Sequence, residues 1–176
     1  MFGPIIEGER VRLAPMTKAH VENFVPWMAD QEVIRWLGIT NAPTVEMEHD
    51  WYERVSKSPN DYLWGIFVGD KHIGSTGVHQ IDWRNRNGVT GNLIGDKTEW
   101  AKGYGSEVVA LRTRYAFEEL GLEKLKTEVI GSNIASRRAL EKAGYKTMGI
   151  ARKELWRHGA WQDVWHAELL REEWAG

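Results

Sequence analysis

Hydrophobic and polar residues follow strand or helix spacing in short segments throughout the first part of the chain. Residues 10–13 alternate between charged and apolar side chains, which predicts a short first strand. Apolar residues recur at mixed helical spacings over residues 18–36, and Pro26 interrupts them, which favours two short helices over one. Residues 44–56 begin with acids and end near a base, as a helix dipole favours, so a third helix is predicted there.

The pattern then changes from antiparallel strands to alternating strands and helices. Two β-rich runs flank Gly69 and Asp70, a pair common in hairpin turns. Val108, Leu111 and Tyr115 lie at i, i+3 and i+7, which is typical of an amphipathic helix. The further predicted elements are strands over residues 89–95, 124–130, 145–155 and 162–170, and helices over residues 106–120 and from residue 132 or 133 to 142. Residues 157–160 join the last two strands into a predicted closing hairpin. Together they predict an α/β domain around a mixed sheet, antiparallel early and parallel in the middle.

Length and composition place the chain among single-domain globular proteins. With 176 residues, 42% of them apolar and 27% charged, one domain over residues 1–176 is predicted. No apolar run approaches the roughly 20 residues that span a bilayer, and the start lacks a basic region followed by an apolar one. We therefore expect a cytoplasmic protein that binds no membrane. The chain has no Cys, which leaves catalysis to oxygen and nitrogen groups.

Charge and residue counts narrow the partners. Lys and Arg total 23 against 25 acids, and no basic cluster marks a face for phosphate backbones, so nucleic acid is not an expected partner. The ten Trp are interpreted first as packing residues, and they would also suit a homodimer interface, where large aromatics are enriched. The six His form no H-x-x-x-H or comparable cluster, so no metal site is predicted.

The segment WAKGYGSE, residues 100–107, lies directly after a predicted strand and directly before the strongest predicted helix. The first amides of a helix lack intrahelical partners and the dipole is positive there, so a pyrophosphate can bind the N–H groups of residues 101–106. Gly103 and Gly105 let the backbone approach such a ligand closely. A bare G-x-G more often marks a plain tight turn than a phosphate site, so its context has to decide. That context is a second helix start thirty residues later, where SNIASRRALEKAGY follows the next strand.

With these two helix starts the chain resembles the GNAT superfamily, in particular its branch of ribosomal-protein and related N-acetyltransferases. The similar blocks are IGDKTEWAKGYGSEVVALRTRYAFEELGL, SNIASRRALEKAGY and ELWRHGAWQDVWHAELLREEW, which together with the segments between them cover nearly the whole chain. The family's cofactor motif is Arg or Gln, two residues, Gly, one residue, and Gly or Ala. Trp100 takes the first place of this motif, and Gly103 and Gly105 match. The resemblance implies a GNAT-type single domain with a splayed mixed central sheet flanked by helices.

The resemblance also implies acetyl-coenzyme A as co-substrate and a set of residues that bind it. The pantetheine arm would lie between the strands that end at Gly95 and near Ile130. The residues expected to bind the cofactor are Leu93 and Ile94 through their backbone, Ala101, Lys102, Gly103, Tyr104, Gly105 and Ser106 around the pyrophosphate, and Asn133 at the pantetheine or acetyl end. Asn133 suits a helix N-cap equally well, and both roles can coexist.

Acetylation of an amine needs a base, because the ammonium form has no lone pair for the thioester carbonyl, and it needs an acid for the departing thiolate. The acid that relatives often carry before the glycine motif is replaced by Val89, and the frequent Tyr of the next motif is replaced by Leu140. Ser136 matches a Ser proposed as proton donor in this branch, although it could serve only its own helix start. Glu128 is the preferred candidate for the base. His79, Asp82 and a water chain stay open as alternatives.

These features predict an N-acetyltransferase that moves an acetyl group directly to a primary amine of a small molecule or a protein N-terminus. The alternative is a catalytically silent module that binds acyl-coenzyme A as a sensor, which the missing base and Tyr would suit. A Rossmann-type nucleotide enzyme is disfavoured, because WAKGYG lacks the third Gly of G-x-G-x-x-G.

Overall fold

The computed structural model describes residues 1–176, in which strands and short helices alternate. The strands are β1 (Ile6–Glu7), β2 (Arg12–Ala14), β3 (Tyr62–Val68), β4 (Lys71–Asp82), β5 (Asn87–Ile94), β6 (Lys124–Ile130), β7 (Lys146–Arg157) and β8 (Ala160–Leu170). The helices are α1 (Lys18–Glu22), α2 (Phe24–Ala29), α3 (Gln31–Ile34), α4 (Val45–Lys57), α5 (Tyr104–Glu118) and α6 (Ile134–Lys142), with short 3₁₀ turns at Lys97–Glu99 and Arg171–Glu173.

All eight strands form one sheet in the order β1-β2-β3-β4-β5-β6-β8-β7. Every neighbouring pair is antiparallel except β5 and β6, which are parallel and are joined through α5. The predicted mixed sheet, antiparallel early and parallel in the middle, is therefore confirmed. The predicted closing hairpin is present as β7 and β8, and β8 lies between β6 and β7.

Helices cover both faces of the sheet. On one face, α5 buries Val108 and Leu111 against apolar side chains of β2, β3 and β4, including Ile66. The ring of Phe67, next to Ile66 in β3, instead packs against His20 of α1 with ring centroids 5.1 Å apart. Because neighbouring strand residues point to opposite faces, α1 lies on the face away from α5.

The N-terminal region differs from the sequence prediction in two details. Residues 18–34 form three short helices rather than two, and the breaks fall at Asn23 and Asp30 instead of at Pro26. Pro26 lies in the first turn of α2, where its missing N–H has no intrahelical role. Asp30 has an extended backbone and accepts a hydrogen bond from Glu32 N, so it starts α3 afresh. A two-residue strand, β1, precedes the predicted first strand and is too short to leave a periodic pattern.

The parallel strands β5 and β6 diverge after three paired residues. Their register runs from Asn87 opposite Lys124 to Val89 opposite Lys126 and then stops. β5 nevertheless stays paired with β4 as far as Ile94, and β6 stays paired with β8 as far as Ile130. Residues 90–94 of β5 and 127–130 of β6 therefore border an open stretch, here called the cleft, which runs for roughly 16 Å along β5. This is the splayed sheet that the sequence predicts.

No helix of the fold is long and apolar enough to cross a membrane.

Candidate active site

The glycine turn, residues 101–106, lies where β5 leads into α5 and has the free amides that the sequence predicts. Ala101 and Gly103 both have positive φ, 60° and 83°, and α5 begins at Tyr104 without a side-chain cap. The N–H groups of residues 101–105 donate to no protein acceptor, whereas Ser106 N donates to Gly103 O over 3.2 Å. Five consecutive amides at a positive helix end thus remain for an anion.

A clamp from the start of the chain fixes this turn. Arg10 Nη1 donates to Lys102 O over 2.9 Å, and Arg10 Nε lies 3.1 Å from Glu107 Oε2 on the first turn of α5. Glu107 Oε1 also accepts hydrogen bonds from Arg10 N and Val11 N. Burial pushes the pKa of Glu107 upward, but these hydrogen bonds outweigh it and the pKa lies below its ordinary value. Sequence reasoning missed Arg10, because nothing local signals a contact across 97 residues.

Trp100 and Lys102 have partners of their own beside the turn. Trp100 Nε1 donates to Ile94 O over 2.8 Å and so takes up the last carbonyl of β5. Lys102 Nζ lies 2.8 Å from Glu99 Oε2, and this contact is the first cause that lowers the pKa of Glu99. A pyrophosphate at the turn would therefore share Lys102 with Glu99.

The second predicted helix start, at α6, is capped by Asn133. Its Oδ1 accepts from Ser136 N over 3.2 Å, which confirms the N-cap interpretation of Asn133. The side-chain nitrogen of Asn133 and the hydroxyl of Ser136 have no protein partner. Ser136 therefore does not cap its own helix with its side chain. Whether Asn133 also contacts a cofactor stays a prediction.

Hydroxyl groups close the inner end of the cleft, where the backbone pairing of β5 and β6 stops. Thr90 Oγ1 donates to Lys126 O over 3.1 Å, and Thr127 Oγ1 donates to Thr90 O over 3.1 Å. The Tyr145 hydroxyl lies 3.2 Å from Thr90 Oγ1 and is buried with it. Sequence reasoning took Tyr145 only as the start of a strand and missed this network.

The candidate bases lie on the sheet face away from α5. Val89 and Lys126 are register partners on this face, and Glu128 follows Lys126 on the same face with 66% of its side chain exposed. Glu128 Oε1 lies 3.5 Å from His166 Nδ1. His79 is the register partner of Val89 on β4, so it stands beside the place of the missing acid.

His79 and Asp82 have different side-chain partners. His79 Nδ1 lies 3.5 Å from Asp61 Oδ1, and burial lowers the pKa of His79 while the Asp61 charge partly offsets this. Asp82 instead holds the β4–β5 turn, where its carboxylate accepts from the backbone and side chain of Asn85, hydrogen bonds that lower its pKa. Leu140, at the place of the frequent Tyr, is 3% exposed and belongs to the core.

No group of three or more His, Asp or Glu side chains is arranged to hold a metal ion.

The splayed mixed sheet, with free amides at the start of α5, is the arrangement expected of the acetyltransferase class that the sequence resembles. The acetyltransferase (GNAT) domain matches residues 10–146, and the chain belongs to this family. YoaA, an uncharacterized N-acetyltransferase of Bacillus subtilis (strain 168), is 28% identical in an alignment of 166 residues that covers 92% of this chain and 93% of YoaA. YdaF of the same organism, named as a candidate ribosomal N-acetyltransferase, is 30% identical over 127 residues, 72% of this chain and 68% of YdaF.

Solved structures agree on the fold. The spermidine N-acetyltransferase of Vibrio cholerae, solved with coenzyme A and spermine, superposes with a TM-score of 0.89 at 15% identity and covers 96% of this chain and 100% of its own. The expectation of acetyl-coenzyme A as acetyl donor agrees with the family match.

Proposed function

We propose that this protein transfers an acetyl group from acetyl-coenzyme A directly to a primary amine. The observation that carries the proposal is the row of five free amides, residues 101–105, at the start of α5 and at the open end of the cleft. A pyrophosphate offers the anionic acceptors that such a row lacks. A Cβ added at Gly105 would meet no atom within 4 Å, so the turn has room for a ligand.

The other predicted cofactor residues follow from this placement. The stretch of β5 beyond Val89 has no β6 partner, and within it Leu93 is the position expected to bond the amides of a pantetheine arm through its backbone. The carbonyls of Thr90 and Gly91 already accept from Thr127 and Arg112. Ile94 can offer the cofactor only part of its backbone, because its carbonyl already accepts a hydrogen bond from Trp100. Lys102 adds positive charge, and Asn133 offers a free side-chain nitrogen at the other border of the cleft.

The cofactor supplies an activated acetyl group as a thioester, whose carbonyl carbon the amine nitrogen attacks while the C–S bond breaks. The ammonium form of the substrate loses two protons on the way to the amide: one to the base before the attack and one from the attacking nitrogen afterwards. The departing sulfur gains one proton, so the net reaction releases one proton to solvent. Ser136 has an unbonded hydroxyl on the first turn of α6, which suits protonation of the sulfur. Direct transfer needs no nucleophile from the enzyme.

Glu128 and His79 are the two candidates for the base on the face that carries Val89. Glu128 borders the cleft itself and is accessible to solvent. His79 has the more suitable chemistry, because its lowered pKa leaves it neutral, and able to accept a proton, at pH 7. Glu128 remains the base that the sequence favours, and mutation separates the two.

The substrate class is a primary amine, of a small molecule or of a protein N-terminus. One similar protein supports each of these two substrate classes: the candidate ribosomal N-acetyltransferase YdaF supports a protein substrate, and the spermidine enzyme of Vibrio cholerae supports a small molecule. A homodimer stays a prediction, and the exposed apolar side chains of Met148 and Ile150 on the edge strand β7 would suit one.

The test is calorimetric titration with acetyl-coenzyme A, followed by a thiol-release assay over a panel of polyamines, amino acids and N-terminal peptides. Binding with thiol release on at least one amine supports the proposal. Binding without release on any amine would favour the sensor, and no binding would refute the proposal.

The same assay assigns the proton transfers. We expect Ser136→Ala to lower kcat by roughly 10²- to 10⁴-fold with little effect on cofactor affinity. Glu128→Gln and His79→Gln are compared across pH. The variant that removes the acidic limb of the kcat/KM profile identifies the base, and retention of that limb in both variants would favour a water chain.

A further inference from the structure

The interior behind the cleft contains a buried cation without an anionic partner. Arg112, in the middle of α5, has no exposed surface. Its Nη1 donates to Thr76 Oγ1, to Gly91 O and to Asn92 Oδ1 over 3.0 to 3.2 Å. Its Nε and Nη2 atoms are buried with no partner, and it forms no ion pair.

Such an arrangement costs folding free energy, because a charge has left water without an opposite charge to replace it. Burial accordingly lowers the pKa of Arg112, and Tyr145 offsets this only in part. Neighbouring Val108, Val109 and Leu111 show that apolar side chains suit this part of α5. Residues that oppose stability in this way are concentrated at functional sites.

Asn92 is the partner through which Arg112 reaches the cleft. It belongs to the stretch of β5 that has no β6 neighbour. A guanidinium only donates hydrogen bonds, so the Asn92 atom beside it has to be the oxygen, and the amide orientation is thereby fixed. The Nδ2 group donates to no protein acceptor and is not buried. A fixed, unused N–H donor therefore remains at the cleft.

The position of Asn92 along the cleft indicates which part of a ligand it meets. Asn92 lies two residues before Ile94 at the end of β5, and two residues beyond it along the cleft the hydroxyls of Thr90 and Tyr145 close the inner end. If the pyrophosphate binds the glycine turn, as proposed above, the pantetheine arm of the cofactor enters the cleft from the Ile94 end. Its acyl end then points toward the inner end of the cleft, and Asn92 lies at the midpoint of that path.

We propose that Asn92 is a catalytic residue whose Nδ2 group donates a hydrogen bond to the carbonyl oxygen of the bound thioester, and that Arg112 is its positioning residue. Negative charge develops on that oxygen as the amine attacks, so a preplaced donor stabilises the transition state more than the ground state. The buried guanidinium withdraws electron density from Asn92 Oδ1 and strengthens the donor, as in other charge-assisted chains. This inference rests on the proposed function.

The test combines infrared spectroscopy with kinetics. Acetyl-coenzyme A labelled with ¹³C at the thioester carbonyl is bound to the protein without an amine, and its carbonyl band is compared with that in solution. The wild-type protein is expected to shift the band to lower frequency. Asn92→Asp keeps the acceptor for Arg112 but removes the donor, so we expect it to abolish the shift and to lower kcat by about 10²- to 10³-fold. Asn87→Asp, the same change on β5 outside the cleft, is the matched control and should retain both.

Arg112→Met separates positioning from structure. We expect it to reduce the band shift and kcat, whereas its thermal midpoint stays equal or rises, since replacing an unpaired buried charge by apolar volume is often stabilising. Arg114→Met, on an exposed position of the same helix, controls for the loss of one positive charge. A purely structural Arg112 predicts the reverse: a lower midpoint with band and kcat retained.

The outcomes distinguish this inference from the function on which it rests. A wild-type protein that binds and transfers acetyl, but whose bound carbonyl is unshifted or whose Asn92→Asp variant keeps shift and rate, overturns the inference alone. A wild-type protein that binds no acetyl-coenzyme A overturns both.

Discussion

At the scale of residues, the two glycines of the motif have different physical roles. Gly103 has a φ of 83°, and an added Cβ would lie 3.4 Å from Arg10 Nη2, so any side chain there strains the backbone. Gly105 has no positive φ and open space around its would-be Cβ. A substitution that tests ligand binding without disturbing the fold therefore belongs at Gly105.

Gly105→Glu is expected to weaken coenzyme A binding at least tenfold, because it brings a carboxylate to the amides proposed to hold a pyrophosphate. Gly105→Gln is the matched neutral control and should lose much less affinity. Calorimetric titration measures both. Equal affinities for the two variants would contradict a pyrophosphate at this turn.

His72 illustrates a residue whose burial makes stability depend on pH. It is 8% exposed among the rings of His20, Phe67 and Trp27, and burial, followed by the charge of His20, lowers its pKa to about 4. Well above pH 6.5 the ring is neutral in both the folded and the unfolded state. Between pH 6.5 and 4 the unfolded state binds the proton more readily than the folded state. The free energy of unfolding therefore decreases as the pH drops through this range, by about 3 kcal/mol in all.

We therefore expect His72→Gln to remove part of the stability loss between pH 6.5 and 4, as measured by urea unfolding over this range. His158→Gln, in the β7–β8 turn, is the control and should keep the wild-type slope. A parallel pH profile for wild type and His72→Gln would show that His72 is not the source.

At the scale of elements, the first turn of α5 is tied to the segment before β2. The single carboxylate of Glu107 accepts from two backbone amides and from the Arg10 guanidinium, which itself bonds the glycine turn. The helix that holds the turn was predicted from its 3.6-residue period. Its anchor was not, because the partner is 97 residues away.

Glu107→Gln keeps one acceptor but loses the charge that pairs with Arg10. We expect the free energy of unfolding to fall by about 1 kcal/mol and the affinity for coenzyme A to fall with it, since the turn loses its fixed position. Glu118→Gln, exposed on the same helix, should change neither. Denaturant unfolding and calorimetry measure the two effects. An unchanged affinity for coenzyme A would show that the contact between Arg10 and Glu107 is not needed for cofactor binding.

At the scale of the whole molecule, the divergence of β5 from β6 creates a binding site that crosses several elements. The amides of the turn, the open edge of β5 and the start of α6 would meet one extended ligand. Such a ligand binds only the folded chain and should raise its thermal midpoint. At a concentration of 100 Kd we expect a stabilisation of about 2.7 kcal/mol, growing with ligand concentration. Gly105→Glu should show a much smaller rise, and an equal rise in both proteins would indicate binding elsewhere.

From α4 onward the sequence by itself determined the order of strands and helices along the chain, the closing hairpin, the strong helix α5 and the cap of α6. It missed β1 and the division of residues 18–34 into three helices. The features that it determined follow from local patterns, since period and capping chemistry act within a few residues. The glycine turn was also predicted, because its position between a strand and a helix is local.

Only the tertiary structure decided which distant groups meet. It brought Arg10 to the turn, closed the cleft with Thr90 and Tyr145, and set the unpaired Arg112 behind Asn92. A polar residue within a helical pattern suggests a solvated face, and nothing local marks Arg112 as buried. Burial and long-range contacts depend on how the sheet is assembled and on which face each helix covers, so they appear only when the whole chain has folded.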